Sequence, residues 1–453
     1  MRPTLTELAA RLGHTRHLPE TAGWRALADS RGLRPGDLFV ALPGERMDGH
    51  DFVPAALAAG AAAVVAEGAR LTTGLAGDPR VLCVADSREA LLELGALARE
   101  RHTGPLVAIT GSNGKTTTKE LTAQLLGRGR STAASQGNQN STLGAPLSLL
   151  NVLDGQEIYV LEAGMSQPGE IARLCAMARP THGCITNIQP AHLEGTGGLA
   201  AVAQEKGQLF RWLEQHDGTG IVNEDDALVV EQAIGLRRRS GYSLRNHSTG
   251  AVQGLEAVGA DEQARFRIRL SGQECVLPVP GQAFLECAAA AVAIALELGL
   301  EPPRICQGLA AFQGAPGRMQ VRRAAAWSLL DDSYNANPAS MKAALDTLAR
   351  MRADRRVAVL GEMRELGAES RTLHAEVGRH AAALGLDLVL LVGSLEARAA
   401  FEEGLRAGGG RAALQAENAA ALRGLFGPKA GDVVLLKGSR LTGLDLLAKE
   451  WAV

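Results

Sequence analysis

The segment Thr110-Gly111-Ser112-Asn113-Gly114-Lys115-Thr116-Thr117-Thr118 limits what this chain can be more than any other stretch of it. An apolar run from Leu106 precedes it, and a helical pattern through Glu120 to Leu126 follows. Strand, glycine-rich loop and helix, in that order, are the setting of a phosphate loop. Glycines let backbone N–H groups curl round phosphate oxygens, and the helix N-terminus adds its partial positive charge. The expectation is an ATP site in which Gly111, Ser112, Asn113, Gly114, Lys115, Thr116 and Thr117 wrap the phosphates. Lys115 would reach the β- and γ-phosphates, and the Thr116 hydroxyl would ligate Mg²⁺. The spacing is shorter than Gly-x-x-x-x-Gly-Lys-[Ser/Thr], whose first glycine would fall at Ile109. Phosphate loops serve kinases, motors, switches and ligases alike, so the loop alone names no reaction.

A chain of 453 residues is too long for one ordinary core. From Leu106 onward buried strands alternate with helices: Leu106 to Thr110, Glu157 to Glu162, Gly183 to Asn187, then a helix from Glu286 to Leu298. That alternation predicts a largely parallel sheet covered on both faces. Ahead of it lie strands at Asp37 to Leu42, Ala62 to Ala66 and Leu82 to Val84, with helices at Val53 to Gly60 and Ser87 to Glu100. His102-Thr103-Gly104-Pro105 reads as a hinge. Beyond Arg318, strands at 328–331, 357–361, 388–393 and 433–438 separated by helices predict a doubly wound unit. The expected fold is α/β with three domains. These are a small N-terminal α/β domain (1–103), a central P-loop ATPase domain with a mainly parallel sheet (104–317), and a Rossmann-like C-terminal domain (318–453).

Composition removes other readings. Aromatics are only 3%, too few for the stacking platforms of a nucleic-acid surface. Lys plus Arg (47) nearly balances Asp plus Glu (49), so no polyanionic partner is implied, and Arg237-Arg238-Arg239 reads as a solvated face. The cysteines at 83, 175, 184, 275, 287 and 306 form no Cys-x-x-Cys pair, which suits reduced thiols in a cytosolic enzyme. The start, Met1-Arg2-Pro3-Thr4-Leu5, lacks a signal peptide's apolar stretch, and the run Cys287 to Leu296 is roughly half a membrane span. A cytoplasmic protein without a membrane span is expected, and a monomer, because long apolar patches are lacking.

Other polar segments bear on the reaction. Tyr159-Val160-Leu161-Glu162 is an apolar strand ending in a carboxylate, where Glu162 can hold Mg²⁺ at the carboxyl edge of a parallel sheet. His192 follows a strand in a loop at the same edge, and alone reads as polar surface. Lys206 alone reads as an ordinary helix lysine. Gly137-Asn138-Gln139-Asn140-Ser141-Thr142 and Asp332-Ser333-Tyr334-Asn335-Ala336-Asn337-Pro338 are turns or ligand loops.

Taken in order, these segments resemble the Mur ligases over nearly the whole chain. Carrying the resemblance are Asp29-Ser30-Arg31, Gly36 to Gly44, Asp48-Gly49-His50-Asp51-Phe52, Gly111 to Glu120, Gly137 to Leu150 and Glu162-Ala163-Gly164-Met165. Ala191-His192-Leu193-Glu194-Gly195, Pro316-Gly317-Arg318-Met319, Asp331 to Ser340, Gly361 to Gly367 and Leu436-Lys437-Gly438-Ser439-Arg440 complete the set. Tyr334 to Pro338 with Gly361 to Gly367 resembles the member that adds a dipeptide; the Asp-Asn-Pro-Arg segment expected of the sister adding the third residue is absent.

The resemblance implies ATP-dependent ligation of D-alanyl-D-alanine to UDP-N-acetylmuramoyl-tripeptide through an acyl phosphate, in peptidoglycan synthesis. It implies Lys115, Glu162, His192, Lys206 and Arg318 as the catalytic set, with Arg318 reaching the γ-phosphate. Two Mg²⁺ would be held by Thr116, Glu162, His192 and Lys206, the last as an N-carboxylated lysine. Asp332 and Asn335 would meet the nucleotide, Ser30 and Arg31 the uridine nucleotide, and Asn138, Asn140 and Asn337 the substrates. One segment departs: Gly281-Gln282-Ala283-Phe284-Leu285-Glu286-Cys287 lacks the family's Gly-x-His-Asn and its further Asn, so those nucleotide contacts do not carry over. Ser141 stands where the family often has another Asn. Another Mur-type ligase, a folylpolyglutamate-type ligase and a P-loop switch or binding module remain as alternatives. Residues 29 to 52 oppose the folate reading, whose substrate has no nucleotide to hold there.

Overall fold

The computed structural model describes residues 2–19, 22–44, 47–152, 154–190, 198–245 and 255–451. The chain divides into two compact units. One comprises Met1–Thr110, Arg130–Gly183 and Gln208–Thr219; the other comprises Gly111–Gly129, Cys184–Gly207 and Gly220–Val453.

The first unit carries a four-stranded sheet of β1 (Ala26–Leu27), β2 (Leu38–Val40), β3 (Ala63–Glu67) and β4 (Val81–Val84), side by side in that order and parallel throughout. Leu38, Phe39, Val40 and Ala63 to Ala66 are all buried, which explains why β2 and β3 read as unbroken apolar runs rather than alternating ones. The helix Ser87–Glu100 starts where expected because Asp86 caps it, its side chain accepting from the N–H groups of Arg88 and Glu89.

The same unit holds β5 (Leu106–Thr110), β6 (Thr132–Ala134) and β7 (Ile158–Glu162), with β7 pairing in parallel with both others. Their register sets Ile109 opposite Glu162, so the carboxylate stands beside the strand that runs into the glycine-rich loop two residues later. The segment anticipated as a hinge, 102–105, is tied down. The Arg99 guanidinium donates to the carbonyls of His102, Ala178 and Arg179, and a side chain on Gly104 would strike the Glu157 carbonyl.

β8 (His182–Ile185) and β9 (Thr219–Asn223) begin in the first unit and end in the second, where β8, β9 and β10 (Arg238–Tyr242) are neighbours in that order. Arg237, Arg238 and Arg239 are exposed, as a solvated face requires. The helix Lys115–Leu126 packs on the helix Gln282–Glu297, which buries every residue from Cys287 to Ala295. The longest apolar run is therefore a core helix, buried all round. Among the described residues no helix is long and apolar enough to cross a membrane.

Two features depart from the parallel reading. β11 (Leu255–Ala260), β12 (Phe266–Leu270) and β13 (Gln273–Val276) form a separate antiparallel sheet. β12 alternates exposed Arg267 and half-buried Arg269 with buried Ile268 and Leu270, the pattern of a strand with one wet face. The C-terminal sheet runs in the order β14-β15-β19-β16-β17-β18, from β14 (Gln320–Arg323), β15 (Ser328–Asp332), β16 (Arg355–Gly361), β17 (Leu388–Val392), β18 (Leu414–Ala416) and β19 (Asp432–Lys437). It is parallel except for β14, a short polar edge strand antiparallel to β15. The last strand, β19, inserts between β15 and β16, and Asp332 faces Lys437 in register at their carboxyl ends. Ligand crevices form at such ends in doubly wound sheets.

Candidate active site

The glycine-rich loop has the conformation its sequence demands. Gly111 has φ +148° and Gly114 φ +80°, both in the region that disfavours side chains. A side chain at Gly111 would collide with the Thr186 hydroxyl, and a Cβ at Gly114 would lie 2.8 Å from Cys287 Sγ. The helix Lys115–Leu126 begins at once, as the sequence of loop and helical pattern predicts, and its first internal bond runs from the Thr118 N–H to the Gly114 carbonyl. The N–H groups of Lys115, Thr116 and Thr117 thus stand at the helix mouth, the arrangement that binds anions. Lys115 Nζ donates to the carbonyls of Gly111 (2.7 Å) and Ser112 (3.1 Å), curling over the loop it belongs to. Thr116 is buried and Thr117 half-buried.

Asn113 is the hub of this loop. Its N–H donates to Asn187 Oδ1 (2.9 Å) and its side-chain amide to Gln189 Oε1 (2.8 Å). Its carbonyl accepts from Thr186 Oγ1 (2.6 Å) and Asn187 Nδ2 (3.2 Å). Its Oδ1 accepts from Asn337 Nδ2 (2.6 Å). Ser112 Oγ donates to the Gln189 carbonyl and accepts from the Gln189 N–H. Two predicted residues, Asn113 and Asn337, are therefore bonded to each other. Thr186, Asn187 and Gln189 were not anticipated as part of the loop's support. Their signal was a polar run directly after a buried strand at the same sheet edge.

In the first unit, Glu162 is 2% exposed and its Oε1 accepts from Asn140 Nδ2 at 2.7 Å. Asn140 in turn accepts from the Gly164 N–H through its carbonyl (2.8 Å), while Asn138 is exposed and bonds the Asn140 N–H through its own carbonyl. Lys206, on the helix Leu199–Gln215, is 1% exposed. Burial pushes its amine well below the usual lysine range, with the Lys115 charge pushing the same way and Glu205 opposing. His192 lies outside the described residues, as does the rest of 191–197.

Arg318 stacks over the Tyr334 ring, its guanidinium carbon 4.2 Å from the centroid. Asp332 Oδ1 accepts from the Met319 N–H (3.1 Å) and Oδ2 from Lys437 Nζ (2.5 Å); Lys437 also donates to the Asn335 carbonyl (3.1 Å). Lys437 is 2% exposed, and its ammonium ties the start of the Asp332–Asn337 loop to its middle. Lys437 carried no expected role, although an apolar strand ending in a charge is the signal that singled out Glu162. Ser30 and Arg31 sit in a single 3₁₀ turn capped by Asp29. The Arg31 side chain is 87% exposed and pairs with Asp29 at 2.6 Å, holding that carboxyl down at about 2.

The departing segment is filled by packing. Phe284 is buried and stacks on Phe312 with ring centroids 5.6 Å apart, and Cys287 Sγ lies 3.7 Å from the Gly114 carbonyl. Surrounding apolar groups push the Cys287 thiol up to about 12.

For Mg²⁺ the oxygen donors of Thr116 and Glu162 are of the right hard type. Among the described residues no three His, Cys, Asp or Glu side chains cluster as a dedicated cage.

Known proteins resemble this chain along most of its length. Residues 109–295 match the Mur ligase middle domain, 317–440 the Mur ligase glutamate ligase domain, and 27–123 the Mur ligase family catalytic domain. UDP-N-acetylmuramoyl-tripeptide--D-alanyl-D-alanine ligase of Escherichia coli (strain K12) is 39% identical over 369 residues, 81% of this chain and 80% of that protein. The protein of the same name from Synechocystis is 35% identical over 429 residues, 93% of this chain and 90% of its own length. A crystal structure of MurF from Acinetobacter baumannii superposes with a TM-score of 0.86 at 32% identity, covering 100% of this chain and 99% of that one. MurF ligase from Thermotoga maritima in complex with ADP gives 0.79 at 29% identity, covering 95% and 97%. The α/β architecture with parallel sheets is the three-domain one of these structures. On this length of match the chain belongs to the Mur ligase family.

Proposed function

We propose that this chain joins D-alanyl-D-alanine to UDP-N-acetylmuramoyl-tripeptide at the expense of ATP, giving the pentapeptide, ADP and phosphate, as a cytoplasmic monomer serving peptidoglycan synthesis. The observation that carries the reading is likeness along the length of the chain to ligases of that name, with the phosphate loop intact.

A carboxylate does not react with an amine at neutral pH, because its charge repels the nucleophile and oxide is a poor leaving group. In the proposed sequence the terminal carboxylate of the tripeptide attacks the γ-phosphorus, ADP leaves, and an acyl phosphate forms. The amine of D-alanyl-D-alanine then attacks the acyl carbon and expels phosphate. Lys115 and Arg318 offset the repulsion between the carboxylate and the γ-phosphate, which is the main electrostatic barrier. Gly111 to Thr117 cradle the phosphates, and Asp332 and Asn335 meet the nucleotide.

Thr116, Glu162, His192 and Lys206 are the proposed holders of two Mg²⁺, which would neutralise charge on the phosphate oxygens. A neutral Lys206 amine can take up CO₂ and become a carbamate, and its lowered proton affinity supports that assignment. Ser30 and Arg31 take the uridine nucleotide, and Asn138 and Asn140 the substrates; Asn337, grouped with them by the resemblance, has both ends of its amide occupied by Ser340 and Asn113. Proposed boundaries are 1–103 for the UDP-muramoyl-peptide domain, 104–317 for the ATP domain and 318–453 for the Rossmann-like domain. Closure of these domains would exclude water from the acyl phosphate.

The test is phosphate release from Mg·ATP with the UDP-muramoyl tripeptide, with and without the dipeptide, followed by mass spectrometry. Release that needs both, with pentapeptide formed, is the expected result. Release indifferent to both would move the chain to the switch reading.

A further inference from the structure

We infer that Asn337 is a positioning residue for the phosphate loop, holding it in its nucleotide-binding shape through Asn113 rather than touching a substrate. Three facts support this. First, both polar ends of the Asn337 side chain are committed: Oδ1 accepts from the Ser340 N–H (2.9 Å) and so caps the helix Pro338–Arg350, while Nδ2 donates to Asn113 Oδ1 (2.6 Å). Second, the other polar atoms of Asn113 are held by Thr186, Asn187 and Gln189, all from the exit of β8, so Asn337 is the one described contact that ties this loop residue to the C-terminal region. Third, Asn337 is itself held, because Lys437 fixes the loop that leads to it through Asp332 and the Asn335 carbonyl. A short amide-to-amide bond at the end of a capped helix sets the tip of the phosphate loop to within the tolerance that a preorganised site needs.

The inference deepens the ATP reading of the same loop and rests on it. It assigns Asn337 to the loop's shape, so its loss should weaken nucleotide binding and leave the peptide substrates alone. Asn337→Ser separates the two jobs of this side chain. Serine caps a helix about as well as asparagine but is too short to reach Asn113. Asn337→Asp keeps the cap as well and replaces the donor by a second acceptor facing Asn113 Oδ1.

The experiment is calorimetric titration of the full chain and both variants with Mg·ADP, alongside KM for ATP, the UDP-tripeptide and the dipeptide, with Tm as the control for folding. Expected are unchanged Tm, an ADP Kd and ATP KM raised about fivefold, as for loss of one hydrogen bond, and unchanged KM for the other two substrates. ADP affinity equal to the parent's in both variants overturns the inference. So does a rise confined to the tripeptide or dipeptide KM, which would make Asn337 a substrate contact. A parent protein that binds no Mg·ADP would instead overturn the ATP reading beneath it.

Discussion

The phosphate loop and the Asp29–Arg31 turn are both short polar segments assigned to the charged end of a nucleotide, yet they are built in opposite ways. Around Gly111–Thr118 the backbone is fixed by two positive-φ glycines, and Asn113 is bonded to four other residues. At Asp29–Arg31 the guanidinium pairs with the carboxylate two positions back and is otherwise 87% exposed. On the proposed assignments the first segment is organised before any ligand arrives, and the second exchanges an internal pair for a ligand. A preorganised site spends little ordering entropy on binding, so the phosphate end should dominate rate, and the turn should act on affinity alone.

Substitutions sharpen that contrast, beginning with the largest effect. Lys115→Met should cut turnover by about 10²–10³-fold, the usual cost of one lost donor to developing charge, with Tm little changed; a stopped phosphate-release assay checks it. A smaller loss would show that the loop backbone and Arg318 suffice.

Lys206→Met should lower turnover roughly 10–100-fold, as for a lost metal-supporting group, while raising stability. The sign follows from its lowered proton affinity. Between the ordinary lysine value of 10.5 and the lower folded value, the unfolded chain holds a proton that the folded chain does not. Stability from this group therefore falls as pH falls through that window. In CO₂-depleted buffer the variant's advantage in Tm should be greatest at the low-pH end and vanish toward pH 10.5. Thermal melts across pH would refute this if parent and variant ran parallel.

Arg31→Ala should raise KM for the UDP-tripeptide by about tenfold, the lower range for a hydrogen bond to a charged group. Its ATP KM and Tm should not move, because an exposed pair contributes little to folding. A fall in kcat instead would show that the turn shapes the reacting end. Asn140→Ala removes the amide that donates to the Glu162 carboxylate and should cost about tenfold in kcat, the lower range for a hydrogen bond to a charged group. Steady-state kinetics at saturating ATP reads it, and an effect on ATP KM alone would move Asn140 out of the Glu162 assignment.

What the sequence made legible is what is local. The strand, loop and helix from Leu106 to Leu126 follow from apolar spacing and glycine placement, and so do the strands ending at Glu162, Gly361 and Lys437. The helix Ser87–Glu100 carries its own cap in Asp86. The support of the loop was not legible. Asn113 bonds Asn187 across 74 positions and Asn337 across 224, and Lys437 reaches Asp332 across 105. No local pattern encodes which polar side chains meet at such separations. The antiparallel sheet β11 to β13 was missed because its strands have four to six residues and half-polar faces, too short for a period to stand out beside the buried parallel strands.

The central claim is that ATP is used here to activate a carboxylate. The direct measurement is to label both oxygens of the tripeptide's terminal carboxylate with ¹⁸O, run a turnover with Mg·ATP and D-alanyl-D-alanine, and weigh the products. An acyl phosphate requires one labelled oxygen to leave in the released phosphate and one to stay in the new amide carbonyl. Phosphate carrying no label, with pentapeptide formed or not, would contradict the account.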